Sequence, residues 1–258
     1  MSISAVDSRS PAQDSDPYYE DRINLAAVFR MTARLDMHES VTNHFSYAVS
    51  GDGSQFLVNP LGRHFSNVRA SELLLLDATD ESTMDKPNAP DPTAWAIHGA
   101  MHRNLPQARC ILHVHSKYAT VLASIKEAGL PPIDQNTMRF YNRIAIDDGF
   151  DGMGLGDEAE RLTTTIGGHR VLIMGNHGVT VVGETIAKAF DDLYYFERAC
   201  GNYLTALMTG KPLRFASDKV AEKTARQWDD YQNHSRFAEV HLREVREILD
   251  REEPDYKL

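Results

Sequence analysis

Two histidines one residue apart sit in a short apolar run, Cys110-Ile111-Leu112-His113-Val114-His115, and a third stands far downstream in Gly175-Asn176-His177-Gly178. Alternate side chains of a strand point to the same face, so His113 and His115 can present two imidazoles to one point. A ligand as distant in sequence as His177 joins them only through tertiary folding, which excludes a local zinc finger. Neutral imidazoles at this spacing suit Zn2+ first, with Mn2+, Co2+ or Fe2+ as alternatives. Three protein ligands leave a coordination position open, as a catalytic ion needs and a structural one usually lacks. One histidine in a strand is ordinarily a hydrogen-bonded core or surface residue. The metal reading rests on the set of three.

Composition narrows the partners. The 258 residues are 42% hydrophobic and 25% charged, enough to bury a full core. A formal net charge of −10 argues against a nucleic-acid backbone or an anionic membrane as the main partner. Cys110 and Cys200 form no disulfide framework and no zinc-ribbon spacing, which suits a reducing, cytoplasmic compartment. No apolar run approaches the roughly 18 to 20 residues of a membrane span, and the polar residues 1–19 lack the apolar centre of a signal peptide.

Periodicity places the elements. Residues 1–19 carry no pattern and are expected to form a disordered tail. Leu25, Ala26, Phe29 and Ala33 give a helical stripe, and His44 to Val49 with Gln55 to Asn59 predict a hairpin around Ser50-Gly51-Asp52-Gly53. Ser71 is expected to cap a turn of helix carrying Leu73 to Leu76. Asp91 as N-cap and Pro92 in the first turn open a helix through about Asn104. The strand of His113 follows, then a helix from Ser116 that Gly129 ends. Val171 to Met174 and Val179 to Val182 predict two strands around His177, where flanking glycines permit a tight turn. Glu184 to Met208 predicts one long amphipathic helix. A last helical region from about Asp218 to Arg251 carries Trp228, Tyr231, Leu242, Val245 and Leu249 and is suited to packing on a neighbour. The Gly152-x-Gly154-x-Gly156 stretch follows Asp147-Asp148 rather than an apolar strand, so a loop is expected there, not a nucleotide cradle. Neither a Gly-x-Ser-x-Gly elbow nor a His-Glu-x-x-His helix occurs.

From about Asp21 to Met208 the chain resembles the class II aldolase/adducin family, through Asn59-Pro60-Leu61-Gly62, the stretch from Ala96-Ile97-His98 to Pro106, His113-Val114-His115-Ser116, Gln135-Asn136 and Asn176-His177-Gly178-Val179. The resemblance implies a three-layer α/β/α domain around a largely antiparallel sheet, commonly assembled as a tetramer. Its domain would span residues 20–215, with residues 216–258 a helical extension on the domain or a neighbouring subunit. The family's three metal-binding histidines carry over onto His113, His115 and His177. Adducins share the domain without the histidine set, so its presence here favours a working site. Sugar-phosphate aldolases keep an acid/base residue on the preceding helix where Ala94 stands here. Their phosphate-holding elements correspond to about Thr42-Asn43 and to Leu61-Gly62, the latter without a serine hydroxyl. Near Gln135 they carry a tyrosine from a neighbouring subunit; Tyr141 is close but out of register.

Further polar residues are candidates beside plain surface readings. Glu39, His44 and His64 end early elements that such a fold brings toward the metal. Arg139 and Arg143 could meet a substrate carboxylate as planar forks. His44 or Tyr141 could supply a proton, while Trp95 and His98 are expected to pack or hydrogen-bond under the site. These residues support a divalent-metal-dependent carbon–carbon lyase for a small carboxylate or carbonyl compound, with decarboxylation favoured over aldol cleavage because no base must pull a proton from carbon. The alternatives are a non-catalytic adducin-like scaffold and a sugar-phosphate aldolase or epimerase.

Overall fold

The structure, a computed structural model, describes residues 15–152 and 157–258. Helix α1 (Tyr19–Arg34) leads into the hairpin β1 (His44–Ala48) and β2 (Gln55–Val58), then β3 (Leu74–Asp77). Next come α2 (Pro92–Asn104), β4 (Cys110–Val114), α3 (Lys117–Ala123), α4 (Gln135–Arg139), β5 (Ile144–Asp147) and α5 (Glu158–Ile166). Strands β6 (Val171–Met174) and β7 (Gly178–Gly183) precede the long α6 (Ile186–Met208), α7 (Asp218–Ser235) and α8 (Phe237–Glu252). The strands form one seven-stranded sheet in the order β3-β2-β1-β4-β7-β6-β5, antiparallel throughout except for the parallel β5–β6 pair.

Strand alternation sorts the core into two faces. Cys110, Leu112 and Val114 of β4 join Val179 and Val181 of β7 and Val171 and Ile173 of β6 against α1, α3, α6 and α8. Ile111, Val182, Leu172 and Met174 point the other way, against α2 and α5. The expected three-layer α/β/α architecture is therefore the one observed. It puts His113 on the α2 face of a central strand, opposite His44 of β1 and Thr180 of β7 in the ladder. Helix α2 begins as its sequence predicts, with Asp91 Oδ1 accepting from Thr93 N and Ala94 N at 2.8 and 3.3 Å.

Several local expectations are corrected. Leu74–Asp77 is an edge strand rather than a turn of helix, since pairing with β2 (Leu57↔Leu75) supplies the backbone partners that four aperiodic leucines do not specify. Helix α3 ends at Ala123, well before Gly129. The C-terminal region is two helices, broken at Arg236 in the left-handed region (φ 52°) with no glycine or proline to announce it. Strand β5 does precede Gly152, and α4 and α5 were not foreseen; Gly154 and Gly156 lie outside the described residues. Helix α8 buries Leu242, Val245 and Leu249 against its own chain. Among the described residues no helix is long and apolar enough to cross a membrane.

Candidate metal centre

The sheet brings the three distant histidines together. Ligand-capable nitrogens of His113, His115 and His177 all lie within 4.8 Å of one another, and the ring centroids are 4.8 to 5.0 Å apart. His113 is supplied by β4 and His115 by the residue just past its end. His177 comes from the β6–β7 turn, whose left-handed residue is Asn176 (φ 56°). The flanking glycines act differently from the expected relief of backbone strain, because neither has a positive φ. A Cβ on Gly178 would stand 2.7 Å from both His115 Cδ2 and Val114 O, and one on Gly175 would stand 3.0 Å from Asp147 O. The glycines allow close approach of the turn to the neighbouring strands.

Outer partners orient the rings. His115 Nδ1 lies 2.5 Å from Glu39 Oε2, and His113 Nδ1 lies 3.2 Å from Thr180 Oγ1. Thr180 Oγ1 in turn donates to Met174 Sδ, so it is free to accept from His113. Each bond places the hydrogen on Nδ1 and leaves Nε2 with its lone pair. Those two Nε2 atoms stand 3.0 Å apart. With no hydrogen between them the contact is repulsive, and a shared cation resolves it; tetrahedral Zn–N bonds of about 2.0–2.1 Å separate two ligand nitrogens by about 3.3 Å. His177 Nδ1 is buried without a hydrogen-bond partner. Burial pushes His113 well below the ordinary imidazole value and His177 down to about 4, with His115 adding to both, so these rings are neutral, as ligands must be. The residues present fit a divalent ion.

The other candidates divide. Glu39 reaches the cluster through His115. Its backbone N–H and that of His115 both donate to Asn43 Oδ1, at 2.7 and 3.4 Å, so Asn43 ties the two segments together rather than facing outward as a phosphate element. His44 is buried, its ring stacked on His113 at 4.9 Å and hydrogen-bonded to His98; burial, opposed by Asp91, takes it to about 4. His64 instead faces His38, with Nε2 atoms 3.1 Å apart. Arg139 is fully buried, bonded to Asp191 and Asp192 at 2.7 Å each and packed 4.6 Å from the Tyr195 ring centroid. Arg143 is held by Glu222 and Asp229 at 2.9 and 2.8 Å. Neither guanidinium is available as a substrate fork, because α6 and α7 supply carboxylates that the sequence places far away. Tyr141 is half-buried beside Asp218 at the start of α7, not at the cluster of its own chain. The α2 position of Ala94 is fully buried and apolar. Thr180, Ser46 and His102 went unnoticed as site residues, although Ser46 shares a strand face with His44, and His98 and His102 are four apart on α2.

Comparison with known proteins places this arrangement. The family model for the class II aldolase and adducin N-terminal domain matches residues 23–204. Over 213 residues, 82% of either chain, the sequence is 29% identical to a protein of Caulobacter vibrioides that carries the name of an aldolase class 2 protein. It is 27% identical over 230 residues, 84% of either chain, to decarboxylase NovR of Streptomyces niveus. The crystal structure of an aldolase II superfamily protein from Pseudomonas syringae superposes with a TM-score of 0.83 at 28% identity, covering 98% of both chains. With this match over most of its length and this fold, the chain belongs to the class II aldolase/adducin family.

Proposed function

We propose that this protein is a divalent-metal-dependent carbon–carbon lyase acting on an unphosphorylated hydroxy, keto or aromatic carboxylic acid, and that it releases carbon dioxide in preference to cleaving a sugar phosphate. The observation that carries the reading is the three-histidine cluster, with His115 and His113 oriented by Glu39 and Thr180; the α2 position at which a sugar-phosphate aldolase keeps its acid/base is here Ala94, buried in an apolar cluster with Ala48, Phe56, Val58 and Ala78. A divalent ion, Zn2+ by first choice, held by His113, His115 and His177 would act as a Lewis acid toward negative charge on a substrate oxygen. His115 and His177 are partly exposed, which leaves the cluster open on one side. Glu39 is the carboxylate bonded to it and, with His64, is proposed to contact substrate. His44 is proposed to handle the proton. The relationship to decarboxylase NovR supports the same chemistry.

Loss of general acid/base help typically costs about 10²- to 10⁴-fold, a loss that falls on aldol cleavage more than on decarboxylation. Hydroxy, keto and aromatic acids assayed for carbon dioxide, beside ketose phosphates assayed for aldehyde, test the reading. Metal-dependent carbon dioxide release is expected. Fast aldehyde release without decarboxylation would overturn it, and inactivity on both panels would favour a non-catalytic, adducin-like role. A homotetramer, in the cytoplasm, is proposed as the working form; Met208, Phe215 and Tyr231 are 87%, 59% and 52% exposed in the single chain and offer apolar surface for subunit contact.

A further inference from the structure

Beside the cluster, six polar contacts run in one line. Asp91 Oδ1 is 2.5 Å from Thr93 Oγ1, and Thr93 Oγ1 is 3.2 Å from His44 Nε2. His44 Nδ1 is 2.9 Å from His98 Nε2, and His98 Nδ1 is 2.5 Å from Ser46 Oγ. Ser46 Oγ is 2.7 Å from His102 Nε2, and His102 Nδ1 is 2.6 Å from the carbonyl oxygen of Ala108. His44, Ser46, His98 and His102 are all buried, and burial holds His98 and His102 neutral, the latter at about 4.

Both ends of this line only accept. One is a carboxylate oxygen that already takes Thr93 N and Ala94 N, and the other is a backbone carbonyl. Between them, neutral rings and hydroxyls offer five hydrogens, one each from Thr93, His44, His98, Ser46 and His102. Six contacts share five hydrogens, so one contact goes without.

The carbonyl end decides which. A 2.6 Å contact to Ala108 O requires the hydrogen on His102 Nδ1, leaving His102 Nε2 bare. Ser46 Oγ–H donates to that nitrogen, so Ser46 Oγ must accept from His98 Nδ1–H. His98 Nε2 is then bare and accepts from His44 Nδ1–H. The Thr93 hydroxyl is committed to Asp91. The contact left without a hydrogen is Thr93–His44, which at 3.2 Å is the longest of the six. The opposite polarity would put the empty contact at Ser46–His102, which is 2.7 Å.

We propose that the line Ala108–His102–Ser46–His98 is a tautomer lock that holds His44 in its Nδ1–H form and keeps Nε2 as a bare lone pair. Ser46, His98 and His102 are positioning residues. In that form His44 presents an acceptor, not a donor, at Nε2. The lock bears on the proposed role of His44 in catalysis, but it depends on the hydrogen-bond geometry of buried neutral rings and not on turnover. A failed carbon dioxide assay therefore leaves it standing, and a failed lock leaves the lyase reading standing.

Two-bond proton–nitrogen correlation spectra of the zinc-loaded, histidine-¹⁵N-labelled full chain test it, with His44→Gln used to identify the His44 signal. In the unsubstituted protein His44 is expected as the Nδ1–H tautomer, with a nitrogen signal at Nε2 typical of an unprotonated atom. Ser46→Thr keeps the hydroxyl and is expected to retain that pattern. Ser46→Ala cuts the line and is expected to give His44 a measurable Nε2–H population. An Nε2–H tautomer in the unsubstituted protein, or a His44 pattern indifferent to Ser46→Ala in a folded chain, would overturn the lock.

Discussion

Single residues around the cluster have separable jobs. Glu39 bonds the outer nitrogen of His115 and so fixes which nitrogen is left for a metal. Glu39→Gln is expected to weaken metal retention about 10- to 100-fold in chelator competition while leaving the fold intact, the usual cost of losing such an outer partner. Undiminished affinity would remove Glu39 from the site. Gly178 has a different role, since a methyl group there meets a backbone carbonyl and the His115 ring at 2.7 Å. Gly178→Ala is expected to displace His115 and lose metal without unfolding the chain, as circular dichroism beside metal analysis would show. The three clustered histidines were legible in the sequence because same-face spacing and a glycine-flanked histidine are local patterns. Thr180 was not, because its role arises from strand pairing that no local pattern encodes. Arg139 and Arg143 misled for the same reason. An arginine flanking aromatic residues resembles a substrate fork until α6 and α7 deliver their carboxylates.

At the scale of elements, Arg139 fastens α4 to α6. Its guanidinium lies between Asp191 and Asp192, and Asp191 also accepts from His241 of α8 and Gln232 of α7. Removing the cation takes from the buried Asp191 and Asp192 the guanidinium they share, so Arg139→Ala is expected to cost about 3–5 kcal/mol in urea unfolding. A loss within the ±0.5 kcal/mol usual for surface changes would contradict this account of the junction. Burial alone raises the Asp191 carboxyl, but His241 and Arg139 outweigh it and hold the group below its ordinary value of 3.8. A depressed carboxylate contributes stability in full above its unfolded value. That contribution disappears as pH falls through the lower folded value. Acid titration monitored by tryptophan fluorescence is therefore expected to loosen the α4–α6–α7–α8 junction only below about pH 4. Loosening near neutrality would mean that Asp191 is not held this way. Helix α2 was legible to the residue because Asp91 and Pro92 are strong start signals. Strand β3 and the break at Arg236 were not, since an edge strand is specified by its neighbour and a left-handed arginine by the packing on either side.

The described residues form one sheet with helices on both faces, and the histidine cluster lies where β1, β4 and β7 meet the β6–β7 turn. The proposed tetramer is expected to elute as a single species of four chains in light scattering on a sizing column at micromolar concentration. A strict monomer would contradict it. Everything proposed about activity depends on His113, His115 and His177 holding one divalent ion between them. The most direct measurement is elemental analysis of the purified protein beside its His113→Ala and His177→Ala variants, with folding checked by circular dichroism. The account predicts about one divalent ion per chain in the parent and loss of that ion from folded variants. An unchanged metal content in both variants, or a parent chain that takes up no divalent ion when reconstituted, would contradict it.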